Sequence, residues 1–171
     1  MAGLGHLGFG FAAKPIAPKV NIVVLLIATE LIDILWAFFY FTGIDHGNVG
    51  INSSPWSHGL FMSLIWSLLA ALLAARIYHD RRSGIVIGLL VFSHWVEDFV
   101  THPMGAIFGG KPLPPDLPIF FNGSPTVGLG LYNHSFVIAI ATDLGMLILG
   151  VVIYVSYRIK LGKWNKSKLP Q

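Results

Sequence analysis

From Gly59 to Ala75 the chain carries no charged side chain, and that one stretch restricts what it can fold into. A helix needs about 20 apolar residues, at about 1.5 Å each, to cross the hydrocarbon core of a bilayer. With its flanks this stretch reaches that length, running from about His58 to Tyr78. Three other stretches share its character, at about Val20–Phe41, Gly84–His102 and Tyr132–Tyr157. In lipid a backbone must satisfy its own polar groups, so such segments are helices. The expected fold class is all-α: a polytopic membrane protein of four transmembrane helices, forming one bundle domain over residues 1–157. A basic tail over 158–171 follows. Composition agrees, with 54% of residues hydrophobic, 11% charged and a mean hydropathy of +0.70. A soluble domain is about a quarter charged.

Charge distribution orients the bundle. Lys14, Lys19, Arg76, Arg81, Arg82, Arg158, Lys160, Lys163, Lys166 and Lys168 fall on one side of a four-helix path, and Lys111 on the other. Lysine and arginine gather on the cytoplasmic face of membrane proteins. The C-terminus is therefore expected in the cytoplasm, and a prokaryotic inner (plasma) membrane is the expected location. The loops Gly43–Ser57 and Met104–Leu131 face outward. The first holds Asp45 and His46, expected to be solvated. The second is rich in Gly and Pro, expected as a lid or binding loop, with Ile119, Phe120 and Phe121 able to enter the membrane interface. No removable signal peptide is read at the start. The net charge of +3 is a topology signal and not one for nucleic acid. The chain has no cysteine, which excludes disulfides, thiolate metal sites and cysteine nucleophiles.

Against this apolar background the run Ser93-His94-Trp95-Val96-Glu97-Asp98-Phe99-Val100-Thr101-His102-Pro103 stands out. At helical spacing His94, Asp98 and His102 fall at i, i+4 and i+8 on one face, with Glu97 beside them. Imidazoles and carboxylates together suit a divalent cation, and ionisable groups inside a membrane point to function. Other polar residues converge at the same depth. Asp33 lies in the outer half of the first helix and Glu30 about one turn deeper; His58 and His134 open the second and fourth helices. Residues Met1–Ala13 are too short to span. They are expected as a short N-terminal helix, either re-entrant, which brings His6 near the depth of Glu30, or interfacial.

These residues carry a resemblance. Gly5-His6-Leu7-Gly8-Phe9-Gly10, the Glu30/Asp33 pair, Ser57-His58-Gly59 and His94-x-x-x-Asp98 resemble the predicted membrane-bound metal-dependent hydrolases. That family is related to an inner-membrane hydrolase of the bacterial DNA-damage response. The likeness covers about residues 1–103. The family in turn looks like a distant membrane relative of zinc-dependent phospholipases C and single-strand nucleases, helical proteins with a three-zinc centre. The resemblance implies His6, Asp33, His58, His94 and Asp98 as metal ligands, with Glu30 close by. Two departures are visible: His102 comes sooner than the corresponding His of the soluble enzymes, and His134 is followed at i+4 by Ile138 rather than by Glu. One or two ions, Zn²⁺ or alternatively Mn²⁺, are therefore expected instead of three.

The candidate ligand set is His6, Asp33, His58, His94, Asp98, His102 and His134, with Glu30 and Glu97 as candidate general bases. The expected function is a metal-dependent hydrolase acting on a phospholipid or other small amphipathic ester. Membrane lipids are the expected partners, with a homo-oligomer possible. The alternatives are a non-catalytic metal-binding subunit, a haem-binding subunit using His58, His94 and His134, and a cation-linked transporter.

Overall fold

The computed structural model describes residues 3–44, 54–105, 107, 110–121 and 123–167; Asp45 and His46 lie outside them. The elements in chain order are α1 (Leu4–Ala13), α2 (Ile22–Thr29), α3 (Leu31–Thr42), α4 (Leu60–Ile77), α5 (Arg81–Thr101), β1 (Leu117–Pro118), β2 (Thr126–Val127) and α6 (Phe136–Ser167). The protein is mostly helical. Among the described residues α4, α5 and α6 are each long and apolar enough to cross a membrane. α2 and α3 make a fourth span only if they count as one, because they meet at a 58° bend.

That bend is the main departure from the continuous first helix expected over Val20–Phe41. No Pro or Gly marks it. Helix kinks also arise where a side chain inserts into the backbone ladder, and His94 does so here, as described below. The last helix differs too. It begins at Phe136 instead of near Tyr132, and it runs past Tyr157 to Ser167, so the basic stretch 158–167 is helical.

α5 is the central element, packed against α4, α2, α1 and α3. Its crossing with α4 is close because small residues face each other. A β-carbon on Gly88 would lie 2.8 Å from Ala71 Cβ and 2.9 Å from the Ser67 carbonyl; one on Gly84 would lie 2.6 Å from the Ala71 carbonyl. Lipid chains are as apolar as leucine, so helices in a membrane associate through such packing and not by escaping water. α1 meets α6 in the same way. A β-carbon on Gly8 would collide with the Met146 carbonyl, and one on Gly150 with the backbone of Gly8.

The two ends of the bundle differ. At one end Lys14 Nζ donates to the carbonyls of Pro18 (2.9 Å) and Val20 (2.5 Å), folding the turn between α1 and α2. Lys19 Nζ sits 3.5 Å from Asp80 Oδ1, joining that turn to the one between α4 and α5. Arg158 comes close as well: partial burial first, and then its charge, hold the Lys14 ammonium below its ordinary pKa. The basic residues of three separate segments thus share one end. Asp80 caps α5 there, accepting from the Ser83 backbone N–H at 2.9 Å and from the Ser83 hydroxyl.

At the other end, the segment after α5 is tied down and is not a free lid. The backbone N–H groups of Leu129, Gly130, Leu131 and Tyr132 donate to the carbonyls of Phe99, His102, Val100 and Thr101 at 2.7–3.1 Å. These are the carbonyls that a helix end leaves without partners. The Phe61 N–H donates to the Ile119 carbonyl at 3.1 Å, so the same segment also caps α4. Trp56, Phe61, Phe120 and Phe121 form an exposed aromatic patch beside it, with ring centroids 5.0–6.1 Å apart.

Candidate metal centre

Asp98 lies at the middle of the site, buried near the end of α5. Its two carboxylate oxygens face different imidazole pairs. Oδ2 is 3.5 Å from His58 Nε2 and 3.4 Å from His94 Nε2. Oδ1 is 3.6 Å from His6 Nε2 and 3.7 Å from His102 Nε2. Asp33 Oδ1 adds a second carboxylate to the first pair, 3.1 Å from His58 Nε2 and 3.5 Å from His94 Nε2. The His6 ring stacks on His94 with centroids 4.0 Å apart.

Each imidazole is turned by a partner at its other nitrogen. His94 Nδ1–H donates to the Thr29 carbonyl at 2.7 Å. A carbonyl only accepts, so this Nδ1 carries the proton and the neutral ring leaves a lone pair on Nε2. Thr29 is the last residue of α2, which links the helix break at Glu30 directly to the orientation of His94. His58 Nδ1 lies 2.8 Å from Ser57 Oγ, and Ser57 donates onward to Ser54 Oγ at 2.9 Å. His102 Nδ1 is 3.3 Å from Asp116 Oδ2. His6 Nδ1 is 2.8 Å from Glu97 Oε2, off the line of an ideal hydrogen bond. Four histidines thus present Nε2 inward and hold Nδ1 outward, the arrangement by which proteins orient metal-ligating imidazoles.

The donor atoms fit a cation. Ligands bonded at 2.0–2.2 Å around a tetrahedral ion stand about 3.3–3.6 Å apart. The four imidazole–carboxylate distances among Asp33, His58, His94 and Asp98 run from 3.1 to 3.5 Å. Asp98 Oδ2 is buried without a hydrogen-bond partner, although two imidazole nitrogens face it. An orphaned buried carboxylate oxygen is costly unless something pairs with it. Two triads bring their donor atoms within 4.8 Å of one another: Asp33, His58 and His94, and His6, His94 and Asp98. They share His94, whose one free nitrogen can serve a single ion.

Burial is uneven across the site. The side chains of His6, His58, His94, His102 and Asp98 are at most 4% exposed, whereas that of Asp33 is 49% exposed. Of these six side chains Asp33 is the one open to solvent. Glu30 stands at the helix break beside that opening, half-buried, with Oε1 3.5 Å from Thr29 Oγ1. Glu97 is buried on the far side against His6. A β-carbon on Gly5 would run into the Glu97 carboxylate and come within 2.9 Å of Asp143 Oδ1, which accepts from the Gly5 N–H at 3.1 Å.

One expected ligand does not join the others. His134 is exposed in the turn before α6. Its neighbours take the inward positions: Tyr132 is fully buried, and Asn133 pairs with both backbone groups of Leu113 at 2.8 and 2.9 Å. Sequence reasoning also missed three participants. Asp116 sits in a Pro-rich loop with nothing to mark it, the Thr29 acceptor is a backbone atom, and Asp143 is a lone acid in an apolar helix.

No protein-family model, curated protein or solved structure matches the chain.

Proposed function

We propose that the protein is a membrane-embedded metal-dependent hydrolase whose ion is held by Asp33, His58, His94 and Asp98. The observation that carries this reading is the common aim of the imidazoles, His58, His94 and His102 held at Nδ1 by hydrogen bonds and His6 set beside Glu97, all converging through Nε2 on two carboxylates. Two imidazoles and two carboxylates suit Zn²⁺, with Mn²⁺ as the alternative. Asp98 Oδ1, between His6 and His102, leaves a place for a second ion. When bound, a divalent cation supplies Lewis acidity and makes water acidic enough to attack near neutral pH.

The residues at the mouth supply the rest. Asp33, the exposed member of the set, is where a substrate oxygen reaches the centre. Glu30 is placed to take a proton from the attacking water as its oxygen bonds to phosphorus or carbonyl carbon, and to return it to the departing alkoxide. Glu97 positions His6 and leaves the proton transfer to Glu30. The basic end of the bundle marks the cytoplasmic side, which sets the cluster toward the outer face. The patch of Trp56, Phe61, Phe120 and Phe121 sits at that end, and such aromatics favour the membrane interface. An amphipathic phosphoester or ester at headgroup level is the substrate class that fits this place.

A haem is disfavoured by the same geometry. Axial ligands face each other across a porphyrin plane, whereas His58 and His94 meet edge-to-face at 5.6 Å and aim at the same carboxylates. The test is direct. Protein purified in detergent is analysed for metal and assayed on fluorogenic phosphodiester and ester lipids with and without a chelator. Bound zinc or manganese with chelator-sensitive hydrolysis lost in Asp98→Asn supports the reading; a metal-loaded protein inert on both ester classes sinks the enzymatic part.

A further inference from the structure

Directly below the metal centre an apolar groove of about 430 Å³ runs between α2 and α4, with α5 as its floor. Its walls are Val24, Ala28 and Leu31 on one side and Ala70 and Ala74 on the other, and Val91 lies beneath. Alanines at Ala28, Ala70 and Ala74 leave the space that larger side chains would fill. Along α4 it extends from Ala70 to Tyr78, about 12 Å. The groove is open sideways, since Ile27, Leu73 and Ile77 on its rim are 50–62% exposed.

The groove and the metal centre are continuous. On α5 Ile87 and Val91 line the groove, and His94 and Asp98 follow on the same stripe. On the other wall Leu31 lines the groove and Asp33, the exposed ligand, comes two residues later. A molecule with its polar part at Asp33 can lay an apolar tail along this groove.

We propose that the groove is an acyl-chain subsite, taking one fatty chain of a lipid that enters sideways from the membrane with its ester or phosphoester at Asp33. The choice of a lipid substrate rests on the hydrolase reading above; the presence of a chain in the groove does not. The hydrophobic effect does not hold the chain there, because surrounding lipid is as apolar as the walls. What favours it is filling a void that would otherwise forfeit van der Waals contacts, together with the tether of the head at the centre.

The experiment uses the full chain in phosphatidylcholine vesicles doped with a phosphatidylcholine that carries a diazirine on one acyl chain. After photolysis, labelled residues are located by mass spectrometry, and metal content is measured on the same sample. The subsite predicts labelling at Val24, Leu31 and Ala70, the half-buried lining of the groove, severalfold above that at Leu68 and Leu72, which are exposed elsewhere on α4. Ala70→Phe, or Leu31→Phe from the opposite wall if the first does not fold, should remove the excess while leaving bound metal unchanged. Equal labelling of groove and outer positions means annular lipid only and overturns the proposal, as does an excess that survives both substitutions. Groove labelling without bound metal would sink the hydrolase reading and leave the subsite standing; metal without groove labelling would do the reverse.

Discussion

At the scale of the residue, the site separates into atoms that face the ion and atoms that hold them in place. His94→Ala and Asp98→Ala are each expected to lower bound metal about tenfold or more, because even the loss of an orienting partner costs about 10–100-fold. His134→Ala should leave metal content unchanged, since that ring is exposed and apart from the cluster. Ser57→Ala and Asp116→Asn should weaken binding while leaving all six inward-facing side chains in place. Elemental analysis across these variants checks the set, and a loss of metal in His134→Ala would show that the ion is held elsewhere. Part of this was legible in the sequence. His94, Asp98 and His102 announce themselves by spacing, because i and i+4 share a helix face whatever the rest of the fold does. Asp116 does not. It reaches His102 only through a loop path that no periodicity encodes.

At the scale of the element, the break at Glu30 shows where local rules stop. The run Ile22–Thr42 is apolar without Pro or Gly and reads as one helix. It is broken by a tertiary event, the His94 imidazole taking the Thr29 carbonyl, which lies 65 positions away in the chain. The turn between α4 and α5 follows local rules closely enough to predict. His79 closes α4 with φ of 48°, a conformation that glycine adopts freely and other residues at a cost. His79→Gly is expected to stabilise the protein by about 0.5–1 kcal/mol, read as resistance to thermal unfolding in detergent. The Asp80 cap adds a pH dependence. Hydrogen bonds from Ser83, with Lys19 contributing, hold its carboxyl below the ordinary value. A depressed pKa gives stability that is fully present above the unfolded value of about 3.9 and lost as pH falls through the lower folded one. The stability gap between native protein and Asp80→Ala should therefore be full at neutral pH and close in acid below about pH 4. A gap that is constant with pH would mean the cap acts without its charge.

At the scale of the whole molecule, the gathering of Lys14, Lys19 and Arg158 at one end is what the charge pattern anticipated, and α1, expected as either a re-entrant or an interfacial helix, packs with His6 against His94. The native chain has no cysteine, so single additions report sidedness cleanly. Thr126→Cys at the cluster end should react with an impermeant maleimide on intact cells, and His79→Cys at the basic end only after the membrane is opened. The reverse pattern would invert the bundle and place the centre at the cytoplasmic face. One contact described above also bears on how the protein is made. α1 is made before α6, yet much of the surface it packs on belongs to α6, at Met146 and Gly150, with Asp143 beneath Gly5. Until α6 has been inserted, α1 lacks the larger part of its packing surface. Completion of the centre is thus coupled to insertion of α6, and a nascent fragment released before it would carry the His94 motif without the support that seats His6 beside it.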